Sequence, residues 1–219
     1  MRSEFVNQLV RSFGAVLSRR AGLSLGLWGE PGIGKSFIAQ AILQDVPCQH
    51  LSLHATTPAA GIARALPRAK KLPVWAERQL ERMTHGYLEP EVLANTIAAT
   101  LAGLAPFVLY LEDLHEANPE RLAVVRRLAL AVGQTRGAGL IVTSRNEPPE
   151  GFRNHRLGRL EADETSVMLE RELGASLPAV GLEWIQARTQ GNPLFALEFL
   201  RYLTRQGFLW SDGKRACRA

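Results

Sequence analysis

Gly29-Glu30-Pro31-Gly32-Ile33-Gly34-Lys35-Ser36 has the spacing G-x-x-x-x-G-K-S, and the residues on either side of it decide how it folds. Leu23-Ser24-Leu25-Gly26-Leu27-Trp28 ahead of it is an apolar run of strand length, and Phe37 to Leu43 behind it opens an apolar-faced helix. A strand that feeds a glycine-rich turn that feeds a helix can bring several backbone N–H groups to one small concavity, where they bind an anion. Gly29, Gly32 and Gly34 supply backbone conformations that a Cβ would block, and Pro31 stiffens the turn. Lys35 can reach the β- and γ-phosphates of a nucleotide, the Ser36 hydroxyl can ligate Mg²⁺, and the helix points its positive end at the site. The predicted nucleotide contacts are Gly29, Glu30, Pro31, Gly32, Ile33, Gly34, Lys35, Ser36 and Phe37.

Working outward, Cys48–Leu53, Phe107–Leu111 and Leu140–Thr143 read as further strands, with a weaker fifth near Leu157–Leu160. Between them lie helical patterns. Phe5, Val6, Leu9, Val10, Phe13, Val16 and Leu17 mark an amphipathic helix over residues 2–18, and Asn118-Pro119-Glu120 is a helix start with Asn as N-cap. Pro58, Pro67 and Pro73 punctuate a helix-and-loop region up to about residue 104. Strands alternating with helices imply a parallel sheet. After Glu161 the pattern is wholly helical, with helices over Asp163–Leu173, Val180–Gln190 and Pro193–Gln206. The expected fold is α/β, a P-loop NTPase with a central parallel sheet flanked by helices, followed by a small helical lid. Its expected divisions are residues 1–160, 161–207 and a tail of 208–219.

A phosphate loop supports hydrolysis only if acids beside it hold Mg²⁺ and polarise water, and such acids belong at the C-terminal end of a neighbouring buried strand. Glu112 and Asp113 follow the third strand directly: Glu112 is the candidate for the Mg²⁺ shell and Asp113 for the attacking water, with the reverse assignment also open. Arg145 closes the fourth strand at the same sheet edge, where a guanidinium could distinguish ATP from ADP by its γ-phosphate or could simply cap a strand.

With 219 residues and 46% apolar composition the chain can bury a proper core. The longest apolar segment, about Leu101 to Leu111, is too short for a bilayer span, and the N-terminus lacks the apolar stretch of a leader, so a cytoplasmic protein is expected. Cys48 and Cys217 do not make a disulfide framework. A net charge of +5 permits contact with DNA, but the denser basic clusters (Arg64, Arg68, Lys70, Lys71 and Lys214, Arg215, Arg218) carry no recognition motif. Cys48, His50 and His54 share one face of the second strand but spread too far along it for one metal ion. His85 and His155 are isolated and expected to be exposed, and no Ser-His-Asp arrangement is legible.

Four segments in order, GEPGIGKS, FVLYLEDLHEAN, LIVTSR and QGNPLFALEFL, resemble the signal-transduction ATPases of the STAND branch, relatives of the AAA+ proteins. In particular they look like the ATPase modules of bacterial transcriptional regulators of the maltose-regulator and large LuxR-type kind. The resemblance covers about residues 20–207 and implies bound ATP or ADP with Mg²⁺, slow hydrolysis, Pro193 against the adenine and a helical lid over the nucleotide. The family's usual Asp-Leu-His-Trp-Ala-Asp run stands here as Asp113-Leu114-His115-Glu116-Ala117-Asn118, and no arginine finger is identifiable. Members usually continue into a winged-helix element, a sensor array and an output domain, of which Phe208 to Lys214 resembles the beginning. The resemblance therefore implies a switch whose output lies in a further domain or a partner protein.

Overall fold

The computed structural model describes residues 2–18, 21–69, 71–86, 88–211 and 216–218. The basic residues Lys70, Lys214 and Arg215 lie outside them. By their internal packing the described residues form two units, one of Ser3–Gly29 with Lys35–Arg156 and one of Leu157 onward with the loop segment Glu30–Gly34.

The larger unit is built on five parallel strands: β1 (Leu23–Trp28), β2 (Gln49–His54), β3 (Phe107–Glu112), β4 (Ala138–Ser144) and β5 (Arg153–Arg156), in the spatial order β2-β3-β4-β1-β5. The fold is the expected parallel α/β arrangement of P-loop NTPases. All seven residues of β4 are buried, as are five of the six in β3, which is what continuous apolar runs do when helices cover both faces of a sheet. Leu109, Leu111, Leu140 and Val142 share one cluster with α5 (Pro90–Leu104) and α6 (Pro119–Gly133). Residues of the opposite parity face α1 (Arg2–Ser18): a Cβ on Gly139 would come within 2.9 Å of the Phe13 ring and of Val108. Helix α2 (Lys35–Asp45) packs against β1, β3 and β4, and α3 (Ala59–Ala65) and α4 (Val74–His85) complete the region between β2 and α5.

The expected start of α6 is present: Pro119 is its first residue, and the Asn118 Oδ1 accepts from the Arg121 N–H at 2.8 Å. The fifth strand differs from expectation. It is Arg153-Asn154-His155-Arg156, paired with β1 from Leu25↔Arg153 to Trp28↔Arg156, and not Leu157–Leu160. An edge strand needs only backbone pairing on one side, so its polar side chains carry no apolar signal. Leu157 and Leu160 are buried instead in the smaller unit.

The smaller unit contains α7 (Ala162–Leu173), α8 (Ala179–Thr189) and α9 (Pro193–Arg205), packed around Leu169, Ile185, Ala196, Leu200 and Leu203. Glu161 and Glu164 form a reciprocal capping box at the start of α7, and Gly174 ends it in the left-handed conformation. Strand β6 (Leu209–Ser211) pairs antiparallel with β7 (Ala216–Arg218), so the segment read as the beginning of a further element is a β-ribbon; its Asp212-Gly213-Lys214 portion lies outside the described residues. Among the described residues no helix is long and apolar enough to cross a membrane.

Candidate nucleotide site

Parallel strands deliver their C-terminal residues to one edge of the sheet, and in the larger unit that edge gathers Lys35, Ser36, Glu112, Asp113, Thr143 and Arg145. Lys35 is only 8% exposed, and its Nζ donates to the Gly29 carbonyl at 3.0 Å. Burial lowers its pKa below the usual lysine value, the negative charge of Asp113 opposes that shift, and the positive charge of Arg145 adds to it. Three residues distant in sequence are therefore electrostatic neighbours. Glu112 ends β3 half-buried, Ser36 is exposed on the first turn of α2, and Arg145 is exposed just beyond β4. Phe37 is 70% exposed beside Ser36.

Asp113 adopts φ 54° and ψ 51°, a left-handed conformation that is uncommon for a residue with a Cβ. Its N–H donates to the Thr143 Oγ1 at 3.2 Å, which holds the turn between β3 and the 3₁₀ segment Leu114–Glu116. Such strain persists where the surroundings impose it and concentrates at functional sites. Thr143 is 1% exposed, and its hydroxyl lies 3.5 Å from the hydroxyl of Tyr110. Burial pushes the Tyr110 phenol above its usual pKa, so it remains a neutral donor.

Around Asp113 the structure regroups the histidines. His54 does not join Cys48 and His50; its Nε2 lies 3.5 Å from the Glu116 Oε2, and His54, Asp113 and Glu116 bring one ligand atom each within 4.8 Å of one another. His85 is exposed as expected, whereas His155 is half-buried against the Phe5 ring, 5.6 Å between centroids. Burial, with Arg153 second, lowers the His155 pKa.

In the smaller unit the tip of the phosphate loop has its own partners. The Glu30 Oε2 accepts from the Arg159 Nε at 3.1 Å and Nη2 at 2.9 Å, and the Arg159 Nη1 donates to the Gln190 Oε1 at 2.6 Å. The Asn192 Nδ2 donates to the Pro31 carbonyl at 3.0 Å, and the Leu194 N–H donates to the Gly32 carbonyl at 3.2 Å. The Asn192 Oδ1 meanwhile caps α9, accepting from the N–H groups of Leu194 and Phe195. Gly191, at φ 75°, tolerates no side chain, because a Cβ would lie 2.1 Å from the Leu160 carbonyl oxygen. Pro193 is buried at the first position of α9. The Gly-Asn-Pro element thus punctuates two helices and also holds the loop tip.

Asn192→Ala removes both the cap and the Pro31 contact and is expected to destabilise the smaller unit by about 1–2 kcal/mol in denaturant unfolding. Asn192→Asp keeps the cap acceptor but sets a carboxylate against the Pro31 carbonyl; stability closer to wild type than that of Asn192→Ala would assign most of the effect to the cap.

The loop suits a polyphosphate. Gly29, Gly32 and Gly34 have φ of 146°, 75° and 94°, and a Cβ on Gly32 would fall 2.8 Å from the Leu194 Cβ and 2.9 Å from the Asn192 Oδ1. The Ser36 hydroxyl and the Glu112 carboxylate are the hard oxygen donors that Mg²⁺ takes.

A model of the AAA ATPase domain matches residues 1–142. The chain belongs to the AAA ATPase domain family. No curated protein matches the sequence. This AAA ATPase domain is similar in fold to a STAND protein with a tetratricopeptide repeat sensor from Pyrococcus horikoshii, at 16% identity and TM-score 0.58, covering 88% of this chain and 31% of that one. It is similar to a chain in the structure of Drosophila ORC bound to DNA, at 12% identity and TM-score 0.61, covering 94% of this chain and 57% of that one. A Thermotoga maritima RuvB variant gives 16% identity and TM-score 0.60, covering 94% of this chain and 62% of that one. These likenesses concern the fold, and the AAA ATPase domain spans less than two thirds of each of the three chains.

Proposed function

We propose that this AAA ATPase domain is a regulatory module that binds ATP with Mg²⁺, hydrolyses it slowly, and uses the difference between its nucleotide states as a conformational signal in transcriptional regulation. The observation that carries this reading is the meeting of Lys35, Asp113 and Arg145 at the sheet edge, with Asp113 in a constrained left-handed turn. Lys35 and the loop N–H groups would hold the phosphates, with Ser36 and Glu112 holding the cation. The chemistry supplied by bound Mg²⁺ is neutralisation of charge on the phosphate oxygens. Asp113 would orient water and accept its proton, and Arg145 would recognise the terminal phosphate.

The three helices of the smaller unit would serve as the lid, with Pro193 beside the adenine, and the output would come from a further domain or a protein partner in the cytoplasm. A switch requires that ATP and ADP favour different states. Limited proteolysis in Mg²⁺ with ADP or with a non-hydrolysable ATP analogue is the test. Distinct cleavage patterns that both revert to the apo pattern in Lys35→Met would support the switch. Identical patterns with both nucleotides bound would reduce the module to a static nucleotide binder.

A further inference from the structure

We propose that His54, Asp113 and Glu116 form a zinc site, and that an ion bound there takes the Asp113 carboxylate out of ATP hydrolysis. The inhibitory half rests on the functional reading above; the site itself does not. The three residues meet from separate places in the chain: His54 ends β2, Asp113 follows β3, and Glu116 ends the 3₁₀ segment Leu114–Glu116. Parallel pairing of β2 with β3, which sets His54 opposite Glu112, brings them together. One imidazole nitrogen and two carboxylate oxygens lie within 4.8 Å of one another. The His54 Nε2 and the Glu116 Oε2 are 3.5 Å apart, close to the roughly 3.4 Å that separates two ligands of a tetrahedral zinc ion. The Asp113 and Glu116 side chains are 44% and 50% exposed, so rotation of their carboxylates can close the remaining gaps. Three protein ligands leave the fourth position of the ion to water.

Two neighbouring side chains point to a cation as well. His115 is 11% exposed, and both its ring nitrogens are buried without a hydrogen-bond partner among the described residues. They face the same two carboxylates, Nδ1 at 3.8 Å from the Asp113 Oδ1 and Nε2 at 3.9 Å from the Glu116 Oε1. Buried polar atoms are normally hydrogen-bonded, and carboxylates that ligate a metal normally accept from an outer group. A cation that draws both carboxylates into its shell gives His115 that outer place. The His54 Nδ1, in turn, lies 2.7 Å from the Thr56 Oγ1. That hydroxyl can accept an Nδ1 proton, the arrangement that leaves Nε2 available to a metal. An imidazole ligand favours zinc over Mg²⁺, which takes oxygen donors, so the nucleotide's own cation is a poor competitor here. Asp113 is the shared residue: a carboxylate oxygen whose lone pair is bound to zinc cannot accept a proton from water.

Co²⁺, whose visible absorption reports four-coordinate binding, is the probe for the nucleotide-free protein. Saturable absorption displaced by Zn²⁺ is the expected result, with affinity at least about tenfold weaker in His54→Ala and in Glu116→Gln. Both variants keep Asp113 and should hydrolyse ATP at the wild-type rate in excess Mg²⁺. Buffered free Zn²⁺ that inhibits the wild type should leave them active, and thermal unfolding checks that each is folded. Equal Co²⁺ affinity in the wild type and the folded variants overturns the site, as does a wild type that takes up no Co²⁺. Zinc inhibition that is absent from the wild type, or equal in all three proteins, overturns the inhibitory role. A wild type without ATP turnover defeats the functional reading and the inhibitory role with it, while the Co²⁺ titration still decides the site.

Discussion

Lys35→Met is expected to lower the affinity for Mg-ATP by at least about 100-fold, near 3 kcal/mol, while raising the melting temperature of the nucleotide-free protein by about 2–4 °C. The two effects have one cause. Lys35 is 8% exposed, and burial is the largest influence on its pKa; the attraction of Asp113 comes second and exceeds the repulsion of Arg145, but the net shift is still downward. In the absence of an anion the site therefore holds a cation at a cost, and methionine fills similar space without that cost. Because the folded-state pKa is depressed, the unfolded chain binds the proton more tightly, and stability should rise with pH as the medium approaches the usual lysine value of 10.5. That rise should be smaller in Lys35→Met. Calorimetric titration and thermal unfolding measure the two consequences separately, and a variant that both binds normally and melts normally would remove Lys35 from the site.

Asp113→Asn is expected to keep Mg-ATP binding within a few-fold of wild type while reducing turnover by at least about 100-fold, the scale of a general base. Asparagine tolerates the left-handed conformation of residue 113 well, so the turn held by Thr143 should survive the substitution. Phosphate release under saturating ATP, set beside equilibrium binding of the same preparation, separates the two quantities. Equal turnover in wild type and variant would move the base elsewhere; Glu112→Gln is then the informative companion, because either carboxylate can take either task by position alone.

The central strands were legible because burial on both faces writes itself into composition: Leu25, Leu27, Phe107 to Leu111 and Leu140 to Val142 are apolar runs of strand length. The fifth strand was not, since Arg153-Asn154-His155-Arg156 joins the sheet through backbone pairing with β1 and keeps polar side chains at an edge. Within the site, Lys35 and Ser36 follow from loop spacing, and Asp113 and Arg145 follow from their places at strand ends. The approach of the Tyr110 hydroxyl to Thr143 was hidden because a tyrosine inside an apolar run reads as core, and the contact exists only when β4 pairs with β3. Asn192 sits between two helices as ordinary punctuation. Its contact with Pro31 joins residues 161 positions apart, which no local pattern records.

Calorimetric titration of the purified protein with ATP in Mg²⁺, run in parallel on Lys35→Met, tests the nucleotide site most directly. Saturable binding by the wild type that is lost in the variant is the predicted result. A folded wild type that gives no binding, or equal binding by both proteins, would contradict it.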